Sequence, residues 1–182
     1  MIEDSKSRFS ETAEKILRDS ERIASTMATG IGSEHLLVAL SSNPGTVAYE
    51  ALRELMVTPE RIAFILPGLV GKLKTESGVS SEIKQILKIA YQKAAGFGSF
   101  SVDSEHLLLA LVANKNYNGH TVLLELGVDP KLLKDQLEGY LEQIANADQT
   151  VMHRFNESAD QSDQLVSPFP GESSPRAPSR AK

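Results

Sequence analysis

Two short segments of this chain combine residue types that carry chemistry in other proteins. Each places a serine, a glutamate and a histidine in succession, as Ser33-Glu34-His35 and as Ser104-Glu105-His106. A metal site needs at least three ligands at matched spacing, and the chain has four histidines and no cysteine. A hydrolase needs a nucleophile with a base in reach, and nothing in the sequence points to such a pair. We therefore expect no metal, no cofactor and no enzymatic activity.

The same residues also have a purely structural interpretation. A glutamate in the first turn of a helix compensates the positive end of the helix dipole, and Ser33 is suited to cap that helix. A histidine next to it is most simply a half-buried residue, hydrogen-bonded across to the other copy of the segment. The residues alone leave open whether Glu34 and Glu105 are helix starts or ligands.

The bulk composition limits the class of partner. A formal net charge of −5 repels phosphate backbones, so we expect no nucleic acid partner. The first ten residues carry both charge signs and no apolar run, and no stretch of about 18 apolar residues occurs. We therefore expect a cytoplasmic protein with no membrane association. The phosphate-binding pattern Gly-x-x-x-x-Gly-Lys-Ser/Thr is absent from the sequence, which argues against an ATPase.

The two motif segments belong to a longer internal repeat. At an offset of 71 residues, 15 of the 38 positions from residue 33 to 70 are identical to positions 104 to 141. Upstream of the motifs the offset becomes 70, which aligns Ile16-Leu17 with Ile86-Leu87. The first copy is therefore one residue shorter in the turn before its motif. An ungapped match of this length indicates a duplication.

Each copy is predicted to form four helices, because apolar residues recur at three- and four-residue spacings. Aromatic residues make up only 5% of the chain, so the core is aliphatic and favours helix-on-helix packing. The second helix of each copy is almost entirely apolar and is expected to be central. The predicted helices cover residues 10–27, 34–41, 46–56 and one from Thr58-Pro59 onwards in copy one, and 80–95, 105–113, 119–126 and 130–144 in copy two.

The predicted organisation has three parts. Residues 1–8 form a flexible arm, and residues 9–144 form the repeat domain, with repeat one at 9–70 and repeat two at 79–141. Residues 145–182 are poor in apolar side chains and rich in Ser and Pro towards their end, which predicts a disordered tail.

The doubled pattern resembles the Clp repeat domain found at the front of ClpC- and ClpA-type unfoldases. The resemblance rests on the two Ser-Glu-His-Leu-Leu-x-Ala-Leu segments, on the Leu-x-x-Leu-x-Val-x-Pro segments that follow, and on Arg8-Phe9-Ser10-Glu11. It implies an all-α, eight-helix, pseudo-twofold domain that binds adaptors or substrates. It also implies a stand-alone member of the family, without the AAA+ ATPase.

The resemblance further implies a binding role for the motif glutamates, because some domains of this family bind phosphoarginine there. A carboxylate pairs well with a guanidinium group, and helix N-terminal amides or hydroxyls hold a phosphate. The expected site groups Glu34 with Ser10 and Ser33. Its counterpart groups Glu105 with Ser80 and Ser104, and is the weaker of the two because copy two lacks the Arg-Phe pair.

The function expected from these features is a protein-binding module that modulates a Clp ATPase or protease. Its partner is an unfoldase, an adaptor or a substrate protein. Two alternatives stay open: a helical interaction scaffold unrelated to Clp activity, and the front fragment of a split Clp ATPase.

Overall fold

Eight α-helices form the part of the chain that the structure describes. The structure is a computed structural model that describes residues 8–162, with side chains described for residues 8–147. The helices are α1 Glu11–Thr26, α2 Ser33–Ser41, α3 Val47–Glu54, α4 Pro59–Leu69, α5 Ser81–Gly96, α6 Ser104–Val112, α7 Asn118–Glu125 and α8 Pro130–Ser162.

The helix starts follow from local sequence chemistry. Four helices begin after a serine or threonine whose side-chain oxygen accepts the backbone N–H three residues further on, which satisfies a donor that the helix itself leaves unpaired. Pro59 occupies the first turn of α4, where a missing N–H costs nothing. The four capping residues are Ser10 of α1, Thr46 of α3, Thr58 of α4 and Ser80 of α5.

The predicted helix boundaries agree with the structure to within about two residues, except at the end of α8. That helix continues to Ser162, well beyond the predicted end at Ile144. Nothing after Gly139 interrupts a helix until Pro168, and a helix backbone needs no apolar residues to continue. The first part of the predicted tail is thus helical, and residues 163–182 lie outside the described residues. A boundary between two compact units falls between Ala145 and Asn146.

The two repeats interlock through the segments that precede their helices. The segment before α1 pairs with the segment before α6, and the segment before α5 pairs with the segment before α2. Each pairing is one isolated parallel bridge, and no longer strand forms among residues 8–162. The bridges join Phe9 to Val102 and Val79 to Ile31, which are equivalent positions in the duplication.

The two motif helices form the centre of the core. Helix α2 packs against α6 and α7 of the other repeat as well as against its own neighbours. Neither repeat could bury its motif helix alone, because much of the apolar surface of each is covered by the other copy. The leucines with no exposed surface on these two helices are Leu36, Leu37, Leu40, Leu107, Leu108, Leu109 and Leu111.

Candidate functional site

Three helix N-termini meet around Ser33, at a place we call the first site: the starts of α2, α5 and α7. The Ser33 hydroxyl donates to Glu82 Oε2 at 2.6 Å and accepts the N–H of Gly119 at 2.7 Å. Glu82 also accepts the N–H of Asn118, at 3.2 and 3.1 Å to its two oxygens. Because α2 belongs to repeat one and the other two helices belong to repeat two, the first site is assembled across the duplication.

Asn118 connects this cluster to Glu34. Its side-chain Nδ2 donates to Glu34 Oε2 at 2.9 Å and to the carbonyl of Lys74 at 2.8 Å. Its Oδ1 accepts the N–H of Lys74 at 2.9 Å. The amide of Asn118 thereby ties the linker after α4 to the start of α2, and it occupies one oxygen of the motif carboxylate.

Two neighbouring carboxylates are buried at the first site. Glu34 and Glu82 are 7% and 4% exposed, and neither forms an ion pair with Lys or Arg among the described residues. Burial raises the pKa of Glu34, and the nearby Glu82 raises it further. The three helix N-termini offset part of this cost, because their free N–H groups and dipoles favour negative charge.

The duplicated place around Ser104, which we call the second site, is built differently. The starts of α6, α1 and α3 are the counterparts of α2, α5 and α7. The N–H of Ala48 donates to Ser104 Oγ at 3.4 Å, which repeats the contact of Gly119 with Ser33. Ser104 Oγ donates to Glu105 Oε2 at 3.0 Å instead of to another helix. The polar residues of the first site are thus not reproduced here.

Three exchanged positions account for this difference between the two sites. The counterpart of Asn118 is Val47, the counterpart of Glu82 is Thr12, and the counterpart of Gly32 is Asp103. Sequence reasoning missed all of these positions, because it looked for identities between the copies. These positions could have been found from differences between the copies, namely polar residues in one copy whose counterparts in the other copy are not the same.

Both motif histidines are buried and make the same contacts. His35 Nδ1 accepts the N–H of Gly32 at 3.0 Å, and its Nε2 lies 3.2 Å from Thr29 Oγ1. His106 repeats both contacts with Asp103 and Ser99, at 3.0 and 3.3 Å. Burial lowers the pKa of both side chains. Each histidine bonds to the start of its own motif helix and to a second residue of its own repeat. The predicted hydrogen bond across the repeats is therefore wrong.

The predicted serines are distributed differently from the expected grouping. Ser80, not Ser10, shares a pocket of about 110 Å³ with Glu34. The N–H of Ser10 instead donates to Val102, three residues before Glu105, at 2.8 Å. Ser10 and Ser80 cap α1 and α5, while the residues before Ser33 and Ser104 occupy the N-cap positions of α2 and α6. The physical reason is the interlocked pairing of the two repeats, which brings each first-helix start to the other repeat's motif.

This crossing also places the Arg-Phe pair beside a different site from the expected one. Arg8 and Phe9 were expected to strengthen the site of Glu34. Their backbones pair with Val102, close to the motif of Glu105. The Arg8 guanidinium lies 4.6 Å from the ring centre of Tyr91, on repeat two. The Arg-Phe pair therefore lies beside the second site.

A groove with a volume of about 440 Å³ lies between α3 and α8. Val47, which precedes Ala48 of the second site, is one of its lining residues. Acidic residues of α3 and Tyr140 of α8 line its walls, and Tyr140 is 42% exposed. No group of three or more His, Asp or Glu side chains within the described part of the chain is arranged to hold a metal ion. No helix among the described residues is long and apolar enough to cross a membrane.

Comparison with known proteins agrees with this architecture. The family model of the Clp repeat (R) N-terminal domain matches residues 8–123 and 79–166. The chain belongs to this family. The Hsp104 N-terminal domain of Candida albicans has the same fold, with a TM-score of 0.56 and 20% identity over 71% of this chain and 88% of that chain.

Longer relatives of this Clp repeat chain match over the same region. It is 28% identical over 134 residues to the negative regulator of genetic competence ClpC/MecB of Bacillus subtilis, and 30% identical over 134 residues to the chaperone protein ClpB of Oceanobacillus iheyensis. Each alignment covers 71% of this chain but only 16% and 17% of those relatives. The chain spans about a sixth of their length.

Proposed function

We propose that this Clp repeat chain is a protein-binding module that modulates a Clp-type unfoldase or its protease. Its partner is the unfoldase, an adaptor or a substrate protein, and its place of action is the cytoplasm. The proposal rests on one observation, the duplicated Clp N-domain fold with a motif glutamate at a helix start in each repeat. No step of bond-breaking chemistry is assigned to the chain.

The ligand chemistry that these helix starts favour is an arginine-phosphorylated or strongly cationic peptide. A carboxylate such as Glu105 pairs with a guanidinium group through two parallel hydrogen bonds. The free N–H groups at a helix start, together with a hydroxyl such as Ser10, suit the attached phosphate. The Ser10 oxygen accepts one N–H in the helix cap, so its own proton is available to a ligand.

The ligand part of the proposal is tested by titration calorimetry of the full chain with free phosphoarginine. Replacing both motif glutamates, as E34Q/E105Q, should weaken binding by about 1.5–3 kcal/mol, roughly tenfold to hundredfold. The matched control is E21Q, which removes the same charge from an exposed position on α1 outside both pockets and should bind like the unmodified chain. Absence of binding by the unmodified chain at millimolar phosphoarginine would reject this ligand class.

The partner part is tested separately with a purified Clp unfoldase from the same organism. A complex detected by size-exclusion chromatography, together with a changed rate of ATP hydrolysis by the unfoldase, is the expected result. If no complex forms and the rate of ATP hydrolysis does not change, with or without an adaptor, this part of the proposal is rejected. The alternative, a helical interaction scaffold unrelated to Clp activity, would then be favoured.

A further inference from the structure

We infer that only the second site accepts the ligand, and that Asn118 keeps the first site closed. This inference rests on the proposed function, because it concerns the same helix starts. The inference goes beyond the proposed function because it names a single binding site per chain and the residues that determine which of the two sites binds. Exposure alone does not separate the sites, since the side chains of Glu34 and Glu105 are 10% and 15% exposed. The two sites differ instead in the hydrogen bonds that their motif glutamates accept.

Asn118 already makes the contacts that a ligand would make at Glu34. Its Nδ2 group donates to Glu34 Oε2 as a guanidinium N–H would, and its second bond to the Lys74 carbonyl holds it there. A ligand would have to displace this amide and leave both the Lys74 carbonyl and N–H without their partner. Leaving buried polar groups unpaired costs binding affinity.

Among residues 8–147, Glu105 has no such internal partner. Within that range its side chain accepts one hydrogen bond, from the adjacent Ser104, although a carboxylate has about four acceptor positions. The residue at the position of Asn118 is Val47, whose side chain has no donor. A mostly covered carboxylate with a single hydrogen bond is short of donors, and a guanidinium group supplies them.

Gly32 fixes the position of the Glu34 carboxylate. A Cβ atom on Gly32 would lie 2.3 Å and 2.6 Å from the two carboxylate oxygens of Glu34, so this glutamate folds over the glycine. At the second site Asp103 carries a Cβ atom at the equivalent place. Glu105 therefore cannot cover the preceding residue as closely as Glu34 does, and its Oε1 atom lies 3.8 Å from Nδ1 of His106, compared with 3.5 Å between Glu34 and His35.

Each site contains a second carboxylate, and the two differ in burial. The buried carboxylate of Glu82 lies close enough to Glu34 to raise its pKa. A phosphate group that entered beside these two carboxylates would be repelled. At the second site Thr12 replaces Glu82, and the second carboxylate is that of Asp103, which is only half-buried and already accepts the N–H of Ser104 at 2.6 Å.

The chain path explains why one site is covered and the other is not. After α4 ends at Leu69, the linker turns back and reaches Asn118 through Lys74. Helix α8 passes the equivalent position, Tyr140, without ending. Both Tyr140 and Val47, which lies beside the second site, line the groove between α3 and α8. Residues that flank a bound phosphoarginine would extend into it.

The test exchanges the site-determining residues between the repeats and measures stoichiometry with phosphoarginine by calorimetry. The unmodified full chain should bind one ligand, and E105Q should weaken that binding roughly tenfold to hundredfold. The reciprocal exchange V47N/D103G should close the second site and weaken binding by about tenfold or more. The exchange G32D/E82T/N118V should open the first site and give two ligands per chain, and adding E34Q to it should return the number to one.

The outcomes separate this inference from the proposed function. No binding by the unmodified chain would reject phosphoarginine as the ligand and the inference with it. Two ligands per chain, with one remaining in E105Q, would overturn the inference and leave the proposed function standing. If the triple exchange does not fold, as judged by circular dichroism, E105Q and V47N/D103G still decide the question, because both act only on the second site.

Discussion

At the scale of single residues, the motif histidines have a defined protonation state. A backbone N–H can only donate, so Nδ1 of His35 and of His106 must be an acceptor, and the ring proton resides on Nε2. The rings then donate to Thr29 and Ser99. Burial lowers the pKa of both histidines below the ordinary value of 6.5, and this outweighs the carboxylates of Glu105 and Asp103 beside His106.

This state predicts a pH-dependent contribution to stability. The unfolded chain binds protons at histidine as the pH falls through about 6.5, whereas the folded chain resists protonation, so both histidines lower the free energy of unfolding below that pH. The variant H35Q/H106Q keeps an acceptor for the helix start but does not titrate. It should be less stable than the unmodified chain at pH 7.5, by about 1 kcal/mol for each lost hydrogen bond, and the difference should shrink at pH 5.5.

Urea denaturation of both proteins at the two pH values measures that difference. The comparison cancels the groups that the proteins share, including Glu34, whose raised pKa acts in the opposite direction. A difference that stays constant between pH 7.5 and pH 5.5 would show that the histidines are protonated equally in the folded and unfolded chains.

At the scale of elements, the backbone of the linker between the repeats lies in close contact with Gly30, just before α2. A Cβ atom on Gly30 would lie 2.1 Å from the carbonyl oxygen of Glu76 and 2.5 Å from that of Gly78. The N–H of Ile31 donates to the same Gly78 carbonyl at 2.8 Å. Backbone atoms cannot move aside as a flexible side chain can, so only glycine fits at position 30.

Gly30→Ala should therefore separate the linker from α2 and lower the free energy of unfolding by about 1–3 kcal/mol. The matched control is Gly68→Ala in α4, where nothing lies within 4 Å of the added atom. Alanine favours the helix, so this control should be neutral or stabilising by up to about 1 kcal/mol. Thermal unfolding followed by circular dichroism distinguishes the two, and equal midpoints would contradict the close packing.

At the scale of the whole domain, the repeats depend on each other to fold. Both isolated bridges join one repeat to the other, and α2 buries its leucines partly against α6 and α7. The fragment of residues 8–76 should therefore show no cooperative unfolding transition on its own, since its motif helix would remain exposed. Mixing it with the fragment of residues 77–162 should restore helical circular dichroism. A cooperative transition in the first fragment alone would show that a single repeat is an independent folding unit.

Most of the fold could be predicted from local sequence features. Helix periodicity, capping serines and threonines and the repeated motif identify the eight helices and the Clp repeat family, because these signals act over a few residues. The end of α8 could not be placed, because a fall in apolar content marks the edge of a core and not the end of a helix. A stop signal such as proline is what ends a helix.

The sequence by itself determined the duplication, the helix starts and the two glutamates at those starts. Only the tertiary structure decided which residues meet there, because the interlocked segments bring Ser80 to Glu34 and place Arg8 and Phe9 beside the second site. These contacts join residues more than forty positions apart, and no local periodicity encodes them. The closing of the first site by Asn118 has the same physical origin: a donor on α7 meets an acceptor on α2 only after the two repeats have packed.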